Sequence, residues 1–244
     1  GHIEMLDDPE VSSALFETVE SWLRNRGVQR VVGPFGMNIN QETGLLVDGF
    51  DSPPYIMMGH GHPYYGAAVE RCGYRGVKDV LAYEIEARFD VPPVMAALER
   101  RLSKRVNLRP LELKYLDREL DTLCDLFNDA WADNWGFLPF TQAEFRAVGH
   151  EMMLLIPNDF IQIAEIDGEP VAFIALLPNI NEAIADLNGR LLPFGWAKLL
   201  WRLKVRYPKT ARIPLMGVRR KFQHTRLGPG LAFMVVNASR KPGL

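Results

Sequence analysis

Met216-Gly217-Val218-Arg219-Arg220-Lys221-Phe222-Gln223-His224-Thr225-Arg226-Leu227-Gly228-Pro229-Gly230-Leu231 is the stretch on which the fold turns. Its start completes a strand pattern over residues 212–218, its middle is a basic loop, and its glycines open a helix over about 228–239. A loop passing from a strand into a helix N-terminus aims backbone N–H groups and the positive end of the helix dipole at one point. That point suits a pyrophosphate. A capped helix behind a basic turn has the same sequence pattern, because a lone Gly-x-Gly is a weak signature. Both readings stand here.

Working outward, two apolar runs at residues 160–166 and 171–177 flank Asp167-Gly168, a dipeptide that favours a tight hairpin turn. Residues 106–113 read as a strand, and 117–131 as a helix with Leu120, Leu123, Cys124 and Phe127 on one face. Residues 141–155 read as a further helix, with Thr141 and Glu144 at the spacing of a capping box. Residues 181–206 form a helix-rich insertion in which Trp196, Leu199, Leu200, Trp201 and Leu203 mix with Lys198, Arg202, Lys204 and Arg206. Such a segment lies on a membrane surface or a partner, or covers an otherwise open cavity, and the cover is expected here.

Nearer the start, Asp7-Asp8-Pro9-Glu10 signals a helix N-terminus: a carboxylate cap, a proline in the first turn and an acid at the positive dipole end. Val11, Ala14, Leu15, Val19, Trp22 and Leu23 then fall on one apolar stripe that ends at Gly27. Residues 28–32 and 77–85 read as strands, 33–63 as an ordered loop or hairpin, and 63–72 as a helix closed by Gly73. The charged stretch 86–104 reads as a bridging helix at a domain boundary. This order of elements predicts a mixed-sheet α/β fold of the α+β type.

Composition narrows the function. The 244 residues (27.7 kDa) are 48% hydrophobic and 24% charged, which excludes disordered and collagen-like chains. A formal net charge of −2 advertises no nucleic-acid surface. Cys72 and Cys124 are too few for a disulfide framework, and no apolar run approaches the ~20 residues of a membrane span. A cytoplasmic location is expected. The opening Gly1-His2-Ile3-Glu4, with no initiator Met, reads as a tag joined to an internal segment.

Strand, Val-x-x-x-Phe, then Gln-x-x-x-x-Gly opening a helix resembles the acetyl-coenzyme A loop of the GNAT N-acetyltransferase superfamily. Gln223 matches its first position and Gly228 its last, while Arg226 stands where the pattern has glycine. A Cβ there pushes a pyrophosphate away unless the loop shifts register to Gly228 and Gly230. The resemblance spans nearly the whole chain. Residues 8–85 look like the second half of one GNAT-like domain, with Tyr64-Tyr65 and Gly73-Tyr74 in its last helix, and residues 106–239 look like the first half of another. Asp7 to Val11, Gly44 to Phe50, Pro63-Tyr64-Tyr65 and Gly189 to Trp196 also resemble an uncharacterised bacterial family of tandem GNAT-like proteins that are longer at both ends. The implied organisation is tandem and truncated: residues 1–104 from a first domain and 105–244 from a second.

The resemblance implies an acyl-CoA-dependent N-acyltransferase acting on a small-molecule amine, with acetyl-CoA or another acyl-CoA as co-substrate. Met216, Val218, Gln223, Arg226, Gly228 and Gly230 are the implied contacts to it. Tyr65 and Tyr64 are candidates to protonate the leaving thiolate, and Glu165 faces substrate as a candidate base. Each also reads as an ordinary core or strand residue. Glu42 and Asp48 are candidates for a cationic substrate or for loop capping; His60 and His62 lack a third ligand nearby, so no metal is expected. Trp131, Trp135, Phe137 and Phe140 read as an aromatic packing group, and Arg219, Arg220 and Lys221 as partners of coenzyme A phosphates rather than RNA. Neither nucleic acid nor membrane is expected as a partner. A homodimer covering open sheet edges is. The rival function is a degenerate GNAT-like fold that binds a ligand without catalysis; peptidyl transfer from aminoacyl-tRNA is a third, disfavoured by net charge.

Overall fold

The computed structural model describes residues 3–86, 88–154, 156–206 and 208–239. The chain divides into two compact units, Gly1–Glu84 and Ile85–Leu244. The division lies ahead of the 104/105 boundary read from the sequence.

In the first unit, α1 (Pro9–Arg24) starts where expected: the Asp8 carboxylate accepts from the backbone N–H groups of Glu10 (2.8 Å) and Val11 (3.4 Å). The second helix, α2 (Tyr64–Arg71), lays Tyr65 and Ala68 against Met5 and Phe16 in a small core. The expected apolar stripe of α1 is not what this core takes up. Ser12 and Phe16 are buried, whereas Val11, Leu15, Val19 and Trp22 are exposed. Residues 28–32 and 77–85 likewise form no ladder; among the described residues the unit's one backbone pairing is an isolated antiparallel bridge, Phe35 to Thr43. The reason is physical: an extended run becomes a strand only when a neighbour takes its N–H and C=O groups. The loop expectation fares better. Residues 34–44 close on themselves through Gly36 N–H to Glu42 O (2.7 Å) and Gly44 N–H to Pro34 O (2.9 Å), with Gly44 at φ 85°.

The second unit opens with α3 (Pro93–Leu102), then β1 (Val106–Pro110), α4 (Leu116–Trp131), α5 (Gln142–Met153), β2 (Ile161–Ile166) and β3 (Glu169–Pro178). After the insertion helices α6 (Ile180–Ile184) and α7 (Gly195–Trp201), the latter continued by a π-helical turn Arg202–Arg206, come β4 (Ala211–Val218), α8 (Arg220–Gln223) and α9 (Gly228–Ser239). The four strands form one antiparallel sheet in the order β1-β2-β3-β4. Asp167 and Gly168 turn β2 into β3 at φ 53° and 80°, as their sequence predicts.

β3 is a continuous apolar run because both its faces are covered. On one side Phe173 and Ala175, with Ile161 and Ile163, meet Leu120, Leu123, Phe127 and Phe145 of α4 and α5. Phe173 is wholly buried, so truncating it costs about 3–5 kcal/mol. On the other side α9 lies across β2, β3 and β4 and packs against α3. The capping box at α5 is formed, Thr141 and Glu144 satisfying each other's backbone N–H groups.

Candidate functional site

The register of β4 decides which of its backbone groups are available. Arg219 N–H donates to Val171 O (2.9 Å), so residues opposite on that diagonal exchange hydrogen bonds at 173/217 and 175/215. Met216 and Val218, opposite Ile174 and Ala172, therefore turn their N–H and C=O groups away from β3, toward the outer edge of the sheet. Both carbonyls are taken. Trp131 Nε1–H donates to Met216 O at 2.9 Å, and Gln223 Nε2–H donates to Val218 O and Ala130 O at 2.8 Å each. The outward N–H groups of Met216 and Val218 remain as the donors this edge offers an extended ligand.

Gln223 thus works as a clamp between β4 and the end of α4. Two of the glycines have equally structural reasons. A Cβ on Gly228 would stand 2.6 Å from Phe222 O and 2.8 Å from Gln223 O, so the chain folds back on α8 only with glycine there. A Cβ on Gly230 would stand 2.4 Å from Leu102 Cδ1 and 2.8 Å from Leu98 Cδ2, which places Gly230 at the α3–α9 contact rather than toward the outer edge of β4. Gly217 lets β4 approach α4, since its Cβ would meet Phe173 Cε1 at 2.7 Å and Ala130 Cβ at 2.9 Å.

The basic triplet expected to meet phosphates is occupied within the fold. Arg219 pairs with Asp125 at 2.6 Å and donates to Pro170 O at 2.9 Å; Arg220 lies near Asp129 (3.6 Å) and Asp133 (3.5 Å). Lys221 pairs with Glu169 at 2.7 Å and, foremost through that hydrogen bond, holds its carboxyl below the ordinary range. Asp129 also accepts from Arg220 N–H at 2.8 Å, so a carboxylate already stands at the start of α8. Arg226 is different. It is exposed, and no acidic partner faces it among the described residues.

The catalytic candidates also have partners. Tyr65 is 5% exposed and its hydroxyl donates to Glu4 at 2.6 Å, which with burial raises its pKa above the ordinary 10.0. Tyr64 donates to Met5 O at 2.7 Å, its ring edge-on to that of Tyr65 and stacked on His62. Together they pin residues 4 and 5 to α2. Glu165 accepts from Arg109 Nε (2.7 Å) and Asn107 Nδ2 (3.2 Å), while the same guanidinium forks onto the buried Glu119 at 2.7 and 3.1 Å. Glu119 foremost holds Arg109 in its charged form. The tyrosines belong to the first unit, and Glu165 with the β4 loop to the second.

The backbone carbonyl of Glu42 closes the 36–42 turn, and the Asp48 carboxylate accepts from Gly49 N–H at 2.9 Å. Among the described residues no three His, Cys, Asp or Glu side chains converge as metal ligands, and no helix is long and apolar enough to cross a membrane. Two clefts, of about 250 Å³ beside Tyr74 and about 410 Å³ beside Tyr115, are lined by none of the candidate residues. Sequence reasoning overlooked Trp131, read as packing; the need of a half-buried indole for an acceptor was the available signal. It overlooked Arg109 as well, a guanidinium inside an apolar strand pattern.

Two curated bacterial proteins resemble this chain along nearly its whole length. Protein YghO of Escherichia coli is 50% identical over 244 residues, covering 99% of this chain and 62% of that protein. The bacterial ceramide synthase of Caulobacter vibrioides is 49% identical over 244 residues, covering 98% of this chain and 64% of that protein. This chain thus spans less than two thirds of either relative. No protein-family model matches it. A solved structure from Pyrococcus horikoshii, described provisionally as an acetyltransferase, overlaps 56% of this chain and 35% of its own at 15% identity, with a TM-score of 0.35.

Proposed function

We propose that this chain belongs to an N-acyltransferase that joins an acyl group, delivered as a coenzyme A thioester, to the amine of a long-chain base, on a tandem GNAT-like fold. The observation that carries the reading is the 49% identity, across 98% of the chain, to a protein named bacterial ceramide synthase. A ceramide is the amide of a long-chain amine, so the reaction type follows from the product: the amine nitrogen attacks the thioester carbonyl, a C–N bond forms, and the C–S bond breaks. The thiolate leaves and takes up a proton; the nitrogen loses one.

The second unit supports a docking place for the thioester. The outward N–H groups of Met216 and Val218 suit the carbonyl oxygens of an extended acyl carrier, and Arg226, with no acidic partner among the described residues, stands near the start of α9. Gln223, Gly228 and Gly230 support that site indirectly, by holding the loop and α9 in place. Tyr64, Tyr65 and Glu165 serve as acid or base only by releasing the partners described above. That engagement favours a second reading, a ligand-binding protein that keeps the fold without the chemistry.

Release of free thiol from a long-chain acyl-CoA in the presence of a long-chain amine, with the amide identified by mass spectrometry, is the expected result. Calorimetric titration of acyl-CoA into the protein and into Arg226→Gly separates the readings: binding without amide formation supports the second, and heat from neither protein removes the site from this chain.

A further inference from the structure

We propose that the insertion between β3 and β4 docks the protein on the surface of an anionic lipid bilayer. This goes beyond the proposed reaction and does not depend on it, and it reverses the expectation that no membrane is met.

The insertion is built with one side fixed and the other bare. Leu203 is 1% exposed, Arg202 donates to Ala183 O at 2.7 Å, and Arg202 and Lys198 both pair with Asp186 at 2.5 Å. These contacts hold α7 and its π-helical continuation against α6 by one arc. The opposite arc and the turn before it carry Leu192 (80% exposed), Phe194 (77%), Trp196 (51%), Leu200 (47%), Trp201 (49%) and Val205 (65%). So dense a set of exposed large apolar side chains marks an interaction site.

Charge says which partner. Residues 184–206 contain five basic side chains (Arg190, Lys198, Arg202, Lys204 and Arg206) and one acid, Asp186, which two of them already neutralise. Arg190 and Lys204 have no acidic partner among the described residues, and Arg206 lies over the Trp201 ring, 6.0 Å from its centroid. Exposed tryptophans beside unpaired cations, on a helix too short to span a bilayer, match an in-plane interfacial segment. Two other exposed apolar runs lack that complement: residues 75–86, with Val80, Leu81 and Tyr83, carry Arg75 and Lys78 against Asp79, Glu84 and Glu86, and residues 7–26, with the exposed α1 stripe, carry Arg24 and Arg26 against Asp7, Asp8, Glu10, Glu17 and Glu20. Apolar exposure alone does not single out a lipid surface; the basic surplus does.

The test is flotation of the protein with vesicles of phosphatidylcholine, and of phosphatidylcholine mixed with phosphatidylglycerol. Flotation with the anionic vesicles, weakened by salt, is expected, together with a blue shift in tryptophan emission. Replacing three of the most exposed side chains, Leu192→Ser/Phe194→Ser/Val205→Ser, is expected to weaken it about tenfold or more. The parallel variant Val80→Ser/Leu81→Ser/Tyr83→Ser should float like the original, with thermal unfolding monitored for all three proteins. Arg190→Glu/Lys204→Glu should lose the preference for anionic vesicles. Equal flotation of the original and the insertion variant, or no flotation of a folded original, overturns the proposal. So does an insertion variant that changes only the oligomeric state in light scattering.

Discussion

The two units of the chain hold similar raw material and use it differently. Residues 161–178 and residues 77–85 are both rich in β-branched and aromatic side chains, yet the first set forms two strands with Val171, Ala172, Phe173 and Ile174 wholly buried. In the second set Val80, Leu81 and Tyr83 are 72–82% exposed and no ladder forms among the described residues. Strand propensity is fit to a pleated, half-buried surface, and it is realised only where a neighbouring strand and a covering helix exist. The second unit supplies both through the Asp167-Gly168 turn and α4. In the first, α1 exposes the stripe that such a sheet would take.

Amide hydrogen exchange gives the largest contrast. Amides of β2 and β3 should exchange about 10³-fold or more slower than those of residues 77–85, and comparable protection in the two stretches would break the comparison. Ion pairs sharpen it next. Arg109→Ala strands the buried Glu119 carboxylate and should cost about 3–5 kcal/mol in urea unfolding of the second unit. Arg71→Ala, which loses an exposed partner 3.8 Å away at Asp7, should cost about 0–1 kcal/mol in the first.

Gly217→Ala drives a Cβ into the Phe173 ring and should cost about 1–3 kcal/mol. Tyr65→Phe removes the bond to Glu4 and should cost about 1 kcal/mol, read as a lower urea midpoint with unchanged slope. Alkaline pH acts through Tyr74, whose burial, aided by Glu20, pushes its pKa up to about 12. An unfolded tyrosine gives up its proton near pH 10 while the folded one keeps it. The first unit therefore holds this contribution below pH 10 and loses it between about 10 and 12. Absorbance at alkaline pH should show tyrosines titrating later than the rest, and Tyr74→Phe should remove the titration near pH 12.

What was legible in the sequence was local. Asp8 before Pro9, the Thr141–Glu144 box and Asp167-Gly168 each act within a few residues, and each formed as read. The antiparallel hairpin and the helices around it followed. The rest depended on partners distant in sequence: Trp131 reaching Met216, Gln223 reaching Ala130, and Arg109 joining Glu119 to Glu165. Spacing alone gives no sign that a glutamine matching a loop motif will spend its amide on the end of α4. Nor does periodicity reveal that the α1 stripe stays exposed, because periodicity marks a face and not its cover.

Gly228 has a longer reach than its one backbone position. A glycine required by the carbonyls of Phe222 and Gln223 is under the same steric demand with or without a ligand. Alanine there would have to displace one of those carbonyls before any ligand is considered. A glycine here is therefore a mark of the turn, whatever chemistry the loop does or does not carry.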